Sequence, residues 1–364
     1  MSHTPGQRTL ARILTSTAAA ALALVLTACG GTDDQPAAAG SGDALSKLDL
    51  TFTVSSTSLA HQLIYAARDG GYLEKYNINA KFVTADSSSV AMAALASGSA
   101  QVAFVGRVDP LLTTAQGKKM VYIYKHSTGF LTNVTVSKAF ADKHPGYESM
   151  SLDDRLKALN GATIAQASAN GVLTRVLDSA MKGVGAATKN TYIATNTMTT
   201  ALARGSVDGY MAPSPFQETS VQAKQGVTWI KGTDLPDSGG ESIVQGATAV
   251  SEDYLKSNRA NVVRVIAALQ ATAEGMKADP DKAKKIAQER LKTTDPAIFD
   301  VMWPAAYTCI IGPLQHPISA DDITFMIKHD AADTAAAQSL DPAAQIAPPD
   351  VVTDAKALAQ RIGH

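Results

Sequence analysis

The chain has 364 residues, with 32 basic and 33 acidic side chains and a formal net charge of -1, so it lacks the basic excess that draws a protein onto nucleic acid. Hydrophobic residues make up 45% of it, and the length exceeds what a single core usually fills, which argues for two lobes. Only Cys29 and Cys309 are present, which excludes a disulfide framework, and the 7 histidines are scattered without ligand spacing, so no metal and no cofactor is expected.

Arg8 and Arg12 open the chain without an acidic residue, Ile13 to Leu26 is apolar and Ala-rich, and Leu26-Thr27-Ala28-Cys29 sets small residues before a cysteine. That run is shorter than the roughly 20 residues of a bilayer span. Residues 1–28 therefore read as a cleaved signal that resembles a lipobox, with Cys29 as the lipidation site. An ordinary secretory signal with a chance cysteine is the alternative. The expectation is an exported protein, lipid-anchored to the cell membrane and facing the periplasm or extracellular side. Residues 29–47 read as a flexible tether. Removing residues 1–28 takes away two arginines and no acid, leaving a net charge of about -3 on the same count. With Cys29 acylated, Cys309 stays a thiol; a Cys29–Cys309 bridge is the competing reading.

Asp49 to Val54 alternates as a half-buried strand does, and it runs out into Ser55-Ser56-Thr57-Ser58. Leu59, Leu63, Ala66 and Ala67 then recur at helical spacing before the Gly70-Gly71 stop. Ile78 to Val83 reads as a strand, Asp86 to Ser89 as the cap of a helix over Val90 to Ala96, Gln101 to Gly106 as a buried strand, and Val121 to Tyr124 as the next. Open parallel sheets hold ligands beyond the carboxyl ends of their strands. The polar tips after these strands, among them Ser58, His61, Ser87, Ser88 and Arg107, are therefore candidate ligand contacts. Ser87 and Ser88 serve equally as plain helix caps. Arg107 either forks onto an anion or pairs with nearby Asp109. His61 has no partner that the sequence implies.

The series A-A-R-D-G-G-Y-L-E-K-Y-N-I-N-A-K-F-V, then A-M-A-A-L-A-S-G-S-A-Q-V-A-F-V-G, then G-K-K-M-V-Y-I-Y resembles the solute-binding proteins of ABC importers. Within them it is similar to the NMT1/THI5-like (SsuA/TauA/nitrate-type) family. The resemblance implies an α/β, two-lobe periplasmic-binding-protein fold (type II), with two crossover segments and a ligand cleft between the lobes. It also implies an ABC permease and an ATPase as partners, and a small solute as the ligand. Fungal relatives that make a thiamine pyrimidine carry a cysteine cluster, and two cysteines depart from that pattern. No catalytic motif is present, and no enzyme is expected.

From Ser127 to Asn133 the chain crosses into the second lobe, which makes Thr128 a further candidate contact. Phe130 to Val136 reads as a strand, Ser151 to Leu159 as a capped helix and Ala162 to Ala165 as a strand. Its loop, Gln166 to Gly171, carries the candidates Ser168 and Asn170. Thr191 to Ile193 is a strand, Thr199 to Arg204 a helix, and Gly205 to Pro215 echoes Ser97 to Asp109, a Gly turn and strand leading to a polar loop with Ser214 as candidate. Glu241 to Gly246 reads as a returning strand. Val262, Val265, Ile266 and Leu269 mark a helix over Asn261 to Met276, and Lys282 to Leu291 another. Trp303 and Tyr307, one turn apart on a short helix, either stack on a flat ligand or pack that helix on the first lobe.

The reading assigns lobe 1 to residues 48–128 plus 245–364 and lobe 2 to 129–244. It expects a monomer that captures a small, anionic organic solute, sulfonate or carboxylate-like, by hinge closure. A ligand-presenting sensor, or a carrier of a thiamine-pyrimidine precursor or nitrate, is the alternative.

Overall fold

The computed structural model describes residues 45–363, apart from 56–57, 86, 170, 239–242, 293, 313–316 and 333. The signal segment, Cys29, the tether up to residue 44, Asp86, Asn170 and the start of the expected returning strand lie outside the described residues.

Among the described residues the strands are β1 (Leu48–Val54), β2 (Ile78–Thr84), β3 (Val102–Gly106), β4 (Met120–Thr128), β5 (Asn133–Ser137), β6 (Thr163–Gln166), β7 (Lys189–Tyr192), β8 (Gly209–Ala212), β9 (Gly226–Ile230) and β10 (Val244–Ser251). They form two five-stranded sheets, in the orders β2-β1-β3-β10-β4 and β7-β6-β8-β5-β9. In the first, β1 runs parallel to β2 and β3, with β10 antiparallel between β3 and β4. In the second, β6 runs parallel to β7 and β8, while β5 is antiparallel to β8 and β9. Sheet one takes strands from both flanks of sheet two, so the chain crosses between the sheets twice, after β4 and again before β10.

Each sheet has its own core. Phe52 and Phe104, fully buried on β1 and β3, lie 5.9 Å apart between ring centroids. They belong to the same apolar cluster as the helices Gln62–Asp69 and Arg259–Ala278. Burying side chains of this kind contributes about 1.5–3 kcal/mol each. The long helix comes close because its contact face is small: Ala267, Ala268 and Ala271 are buried, and a Cβ at Gly275 would stand 1.9 Å from the Tyr72 hydroxyl oxygen. In the second core Trp229 on β9 is fully buried, with the Tyr147 ring stacked 5.1 Å away and Phe140 edge-on at 5.4 Å.

Local signals act where expected. Gly71 takes φ 77° at the stop of the first helix, and the Ser87 hydroxyl accepts from the Val90 N–H at 3.3 Å to cap the helix Ser88–Ala96. Three expectations need correction. Phe130 to Thr132 is not strand, because the crossing occupies those residues and pairing begins at Asn133. The returning strand is shifted, since β10 finds partners in β3 and β4 as far as Ser251. The helix carrying Trp303 runs over Pro296–Ile311 and is not short. Strand β9 and the closing helix Pro349–Ile362 were not anticipated. Among the described residues no helix is long and apolar enough to cross a membrane.

Candidate functional site

The parallel strands of both sheets end toward one another, and between those ends lies a narrow crevice. From the first sheet's side come Leu59 and Ala60 after β1, Ser127 and Thr128 at the end of β4, Gln245 at the start of β10, and Ala306, Cys309 and Ile310 on the helix Pro296–Ile311. Leu131 and Thr132 precede β5, and Pro213 and Ser214 follow β8. None of these described lining residues is charged.

Several polar atoms at this edge are buried and lack a hydrogen-bond partner: Ser127 Oγ and Thr132 Oγ1 in the crevice wall, both amide atoms of Gln166 at the end of β6, and both of Gln62 at the first turn after β1. An unsatisfied buried polar atom costs about 1–3 kcal/mol, and the two in the crevice wall, on Ser127 and Thr132, are what a bound polar molecule would satisfy. A larger hollow lies elsewhere in the first lobe, lined by Ile123, Tyr124, Ile266, Ile346, Val352 and others. Its buried lysine, Lys125, is already paired with Asp322 at 3.0 Å. It is away from the second sheet, so the crevice is the better candidate.

Of the residues predicted from sequence, Thr128 and Ser214 line the crevice. The Thr128 hydroxyl donates to the Cys309 carbonyl at 3.3 Å, and the Ser214 hydroxyl donates to Glu218 Oε1 at 2.6 Å. Ser58 is buried at the turn just before Leu59, where its carbonyl accepts the His61 N–H. Ser168 is exposed on the loop after β6.

The others are held by the protein itself. Arg107 does not pair with Asp109 and has no open fork for an anion. Its side chain is 1% exposed, its Nε and one terminal nitrogen donate to the two oxygens of Asp330 at 2.6 and 2.8 Å, and the other terminal nitrogen reaches the carbonyls of Ser238 and Val244. A guanidinium so deep in the protein needs a carboxylate beside it, and the same group ties Ser238, within the return crossing, and Val244, at its end, to the turn after β3. Asp109 instead accepts from the Ser88 hydroxyl and the Gly106 N–H, while burial pushes its carboxyl up to about 6. Ser87 is a helix cap and Ser88 a partner of Asp109.

His61 has a partner that the sequence could not show. Its Nδ1 lies 2.9 Å from His126 Nε2, its Nε2 lies 3.1 Å from Ser55 Oγ, and His126 Nδ1 continues to Thr248 Oγ1 at 3.1 Å. Burial holds the His61 imidazole down at about 4. Burial, with His61 beside it, puts His126 well below the ordinary range. Two facing nitrogens can share one hydrogen, so a second proton would set N–H against N–H. Trp303 is 7% exposed and stacks on Phe299 with centroids 5.6 Å apart, so it is a core residue.

The sequence reading missed Ser127, Thr132 and Gln245 as wall residues, although it placed a lobe crossing on 127–133. It also missed Asp330 and His126, which lie 223 and 65 positions from their partners. No local pattern could have joined them.

Two α/β sheets joined by two crossings, with a polar crevice at their carboxyl edges, define a two-lobe periplasmic-binding-protein fold. A sequence model of the NMT1-like family matches residues 43–290, and the chain belongs to that family. Among solved structures, a protein from Bordetella bronchiseptica RB50 aligns with a TM-score of 0.71 at 18% identity, over 87% of this chain and 99% of that one. The alkanesulfonate-binding protein SsuA from Xanthomonas axonopodis pv. citri aligns with a TM-score of 0.63 at 18% identity, over 86% and 99%. The periplasmic nitrate-binding protein NrtA from Synechocystis PCC 6803 aligns with a TM-score of 0.60 at 12% identity, over 88% and 86%. At such identities the likeness concerns the fold. No curated protein sequence matches the chain.

Proposed function

We propose that this protein is the extracytoplasmic solute-binding component of an ABC importer, held to the membrane through a lipid on Cys29. As a monomer it closes its two lobes on a small organic solute and passes it to a permease driven by an ATPase. The observation that carries the reading is the pair of buried hydroxyls without partners, Ser127 and Thr132, in a crevice whose walls come from both sheets. The crossings after β4 and before β10 are the hinges about which closure takes place. No covalent chemistry is needed, since hydroxyls, an amide and apolar walls suffice to hold a solute. Family membership and the fold of the sulfonate- and nitrate-binding proteins support this role. The anionic class expected from Arg107 loses its cation, because that guanidinium is already matched by Asp330.

The test is a thermal-shift screen of the full chain against small organic solutes, followed by titration. A solute at 100 times its dissociation constant should stabilise by about 2.7 kcal/mol. Ser127→Ala and Thr132→Val should weaken the binding of any hit, while Val301→Ala, at a position 75% exposed on the outer surface, should leave it unchanged. Hits insensitive to both wall variants would place the solute elsewhere and end the proposal.

A further inference from the structure

We infer that the solute taken by this crevice is a neutral or cationic N–H donor, an amine, amidine or amide, and not an anion. The inference rests on the solute-binding reading and concerns the polarity of the same site. The fixed hydroxyls of the wall have already directed their protons away from the crevice. Thr128 Oγ1 donates to the Cys309 carbonyl at 3.3 Å. Ser214 Oγ donates to Glu218 Oε1 at 2.6 Å and accepts from Gln217 Nε2 at 3.1 Å. A hydroxyl has one proton and two lone pairs, so both residues meet a solute as acceptors.

Behind Ser214, one hydrogen bond from the wall, stands the Glu218 carboxylate. Its Oε1 takes the protons of Ser214 and Gln217, and its Oε2 is buried without a partner. Among the described residues no basic side chain pairs with it. The basic groups nearest along the wall's own strands are matched elsewhere, Arg107 by Asp330 and Lys125 by Asp322. The charge beside the crevice is therefore negative, and at low local dielectric a carboxylate this close repels an anionic solute and attracts a donor or cation. Ser127 and Thr132, whose hydroxyls can rotate, adapt to either partner. Gln245 gives its carbonyl oxygen to the Leu131 N–H at 3.3 Å, which leaves its NH₂ as the wall's committed donor and calls for one acceptor on the solute. An amide supplies both halves of that pattern.

Benzamidine, benzamide and benzoate share a skeleton and differ in charge and donors, which makes them suitable probes. The full-length protein is titrated with each by calorimetry. The alkylation rate of Cys309, a wall residue, is read by peptide mapping as a report of occupancy at the crevice. Benzamide and benzamidine should slow Cys309 alkylation at least threefold where benzoate does not. Glu218→Gln should weaken benzamidine about tenfold and benzamide much less, and Thr128→Val, nearly isosteric, should weaken both. Benzoate protecting Cys309 as well as benzamidine does would overturn the donor assignment while leaving solute capture intact. Unchanged benzamidine binding in a folded Glu218→Gln protein, or no protection by any of the three, would also overturn it. The wider thermal-shift screen separately decides whether the protein binds solutes at all.

Discussion

The buried pair His61–His126 gives a pH dependence whose sign and size follow from its surroundings. In the folded protein His61 is held down at about 4, against 6.5 when solvated. The unfolded chain thus takes up a proton near pH 6.5 that the folded chain refuses until about pH 4, and stability is lost as the pH falls through that window. The difference amounts to about 3 kcal/mol at about 1.4 kcal/mol per pH unit, and His126 adds a loss of the same sign. Asp109 works the other way. Its carboxyl is raised to about 6 from 3.8, so the stability it contributes is fully present below about pH 3.8 and is lost as the pH rises through 6. Its partial exposure makes that contribution somewhat smaller than about 3 kcal/mol. In the wild type the two oppose each other between pH 6.5 and 4, and single substitutions should separate them. Urea unfolding followed by tryptophan fluorescence at half-unit pH steps provides the assay. The stability difference between wild type and His61→Gln should shift by about 3 kcal/mol in the variant's favour from pH 6.5 to 4. Asp109→Asn should shift the opposite way. Parallel curves for wild type and His61→Gln would mean that the imidazole titrates alike in folded and unfolded chains, and the buried-pair account would be wrong.

Three further outcomes follow from particular contacts. Asp330→Ala leaves the Arg107 guanidinium buried and unmatched and should cost about 3–5 kcal/mol in chemical unfolding, whereas replacing both residues by apolar ones of similar volume should recover most of that loss. Ser127→Ala removes an orphan hydroxyl and should leave the solute-free protein as stable as wild type or about 1 kcal/mol more so; a loss of 2 kcal/mol or more would show that the hydroxyl is satisfied within the protein. A Cβ at Gly246 would run into the His126 ring and stand 2.7 Å from Ser127 Oγ, so Gly246→Ala should destabilise by about 1–3 kcal/mol, and His126→Ala should relieve part of that penalty in the double variant.

The sequence by itself determined the elements whose signals are local. Alternation in Asp49 to Val54, the Gly70-Gly71 stop, the Ser87 cap and the apolar spacing of Val262 to Leu269 depend on neighbours one to four residues away, and each is formed where those neighbours place it. The edge at which polar tips gather was legible as well, because parallel strands separated by helices leave their loops on one side. Which tip does what was decided by tertiary structure. Arg107 reads as an anion fork or a partner of Asp109 until a carboxylate 223 residues away fills it, His61 reads as lone until β4 brings His126 to 2.9 Å, and Trp303 reads as a stacking platform or a packing residue until Phe299 covers it. Burial turns each of these groups inward, since a charge or imidazole removed from water must find a partner, and that partner is set by sheet order and not by spacing along the chain. The crevice hydroxyls follow the same rule in reverse: Ser127 and Thr132 are ordinary in the sequence, and only the tertiary structure leaves them enclosed without partners.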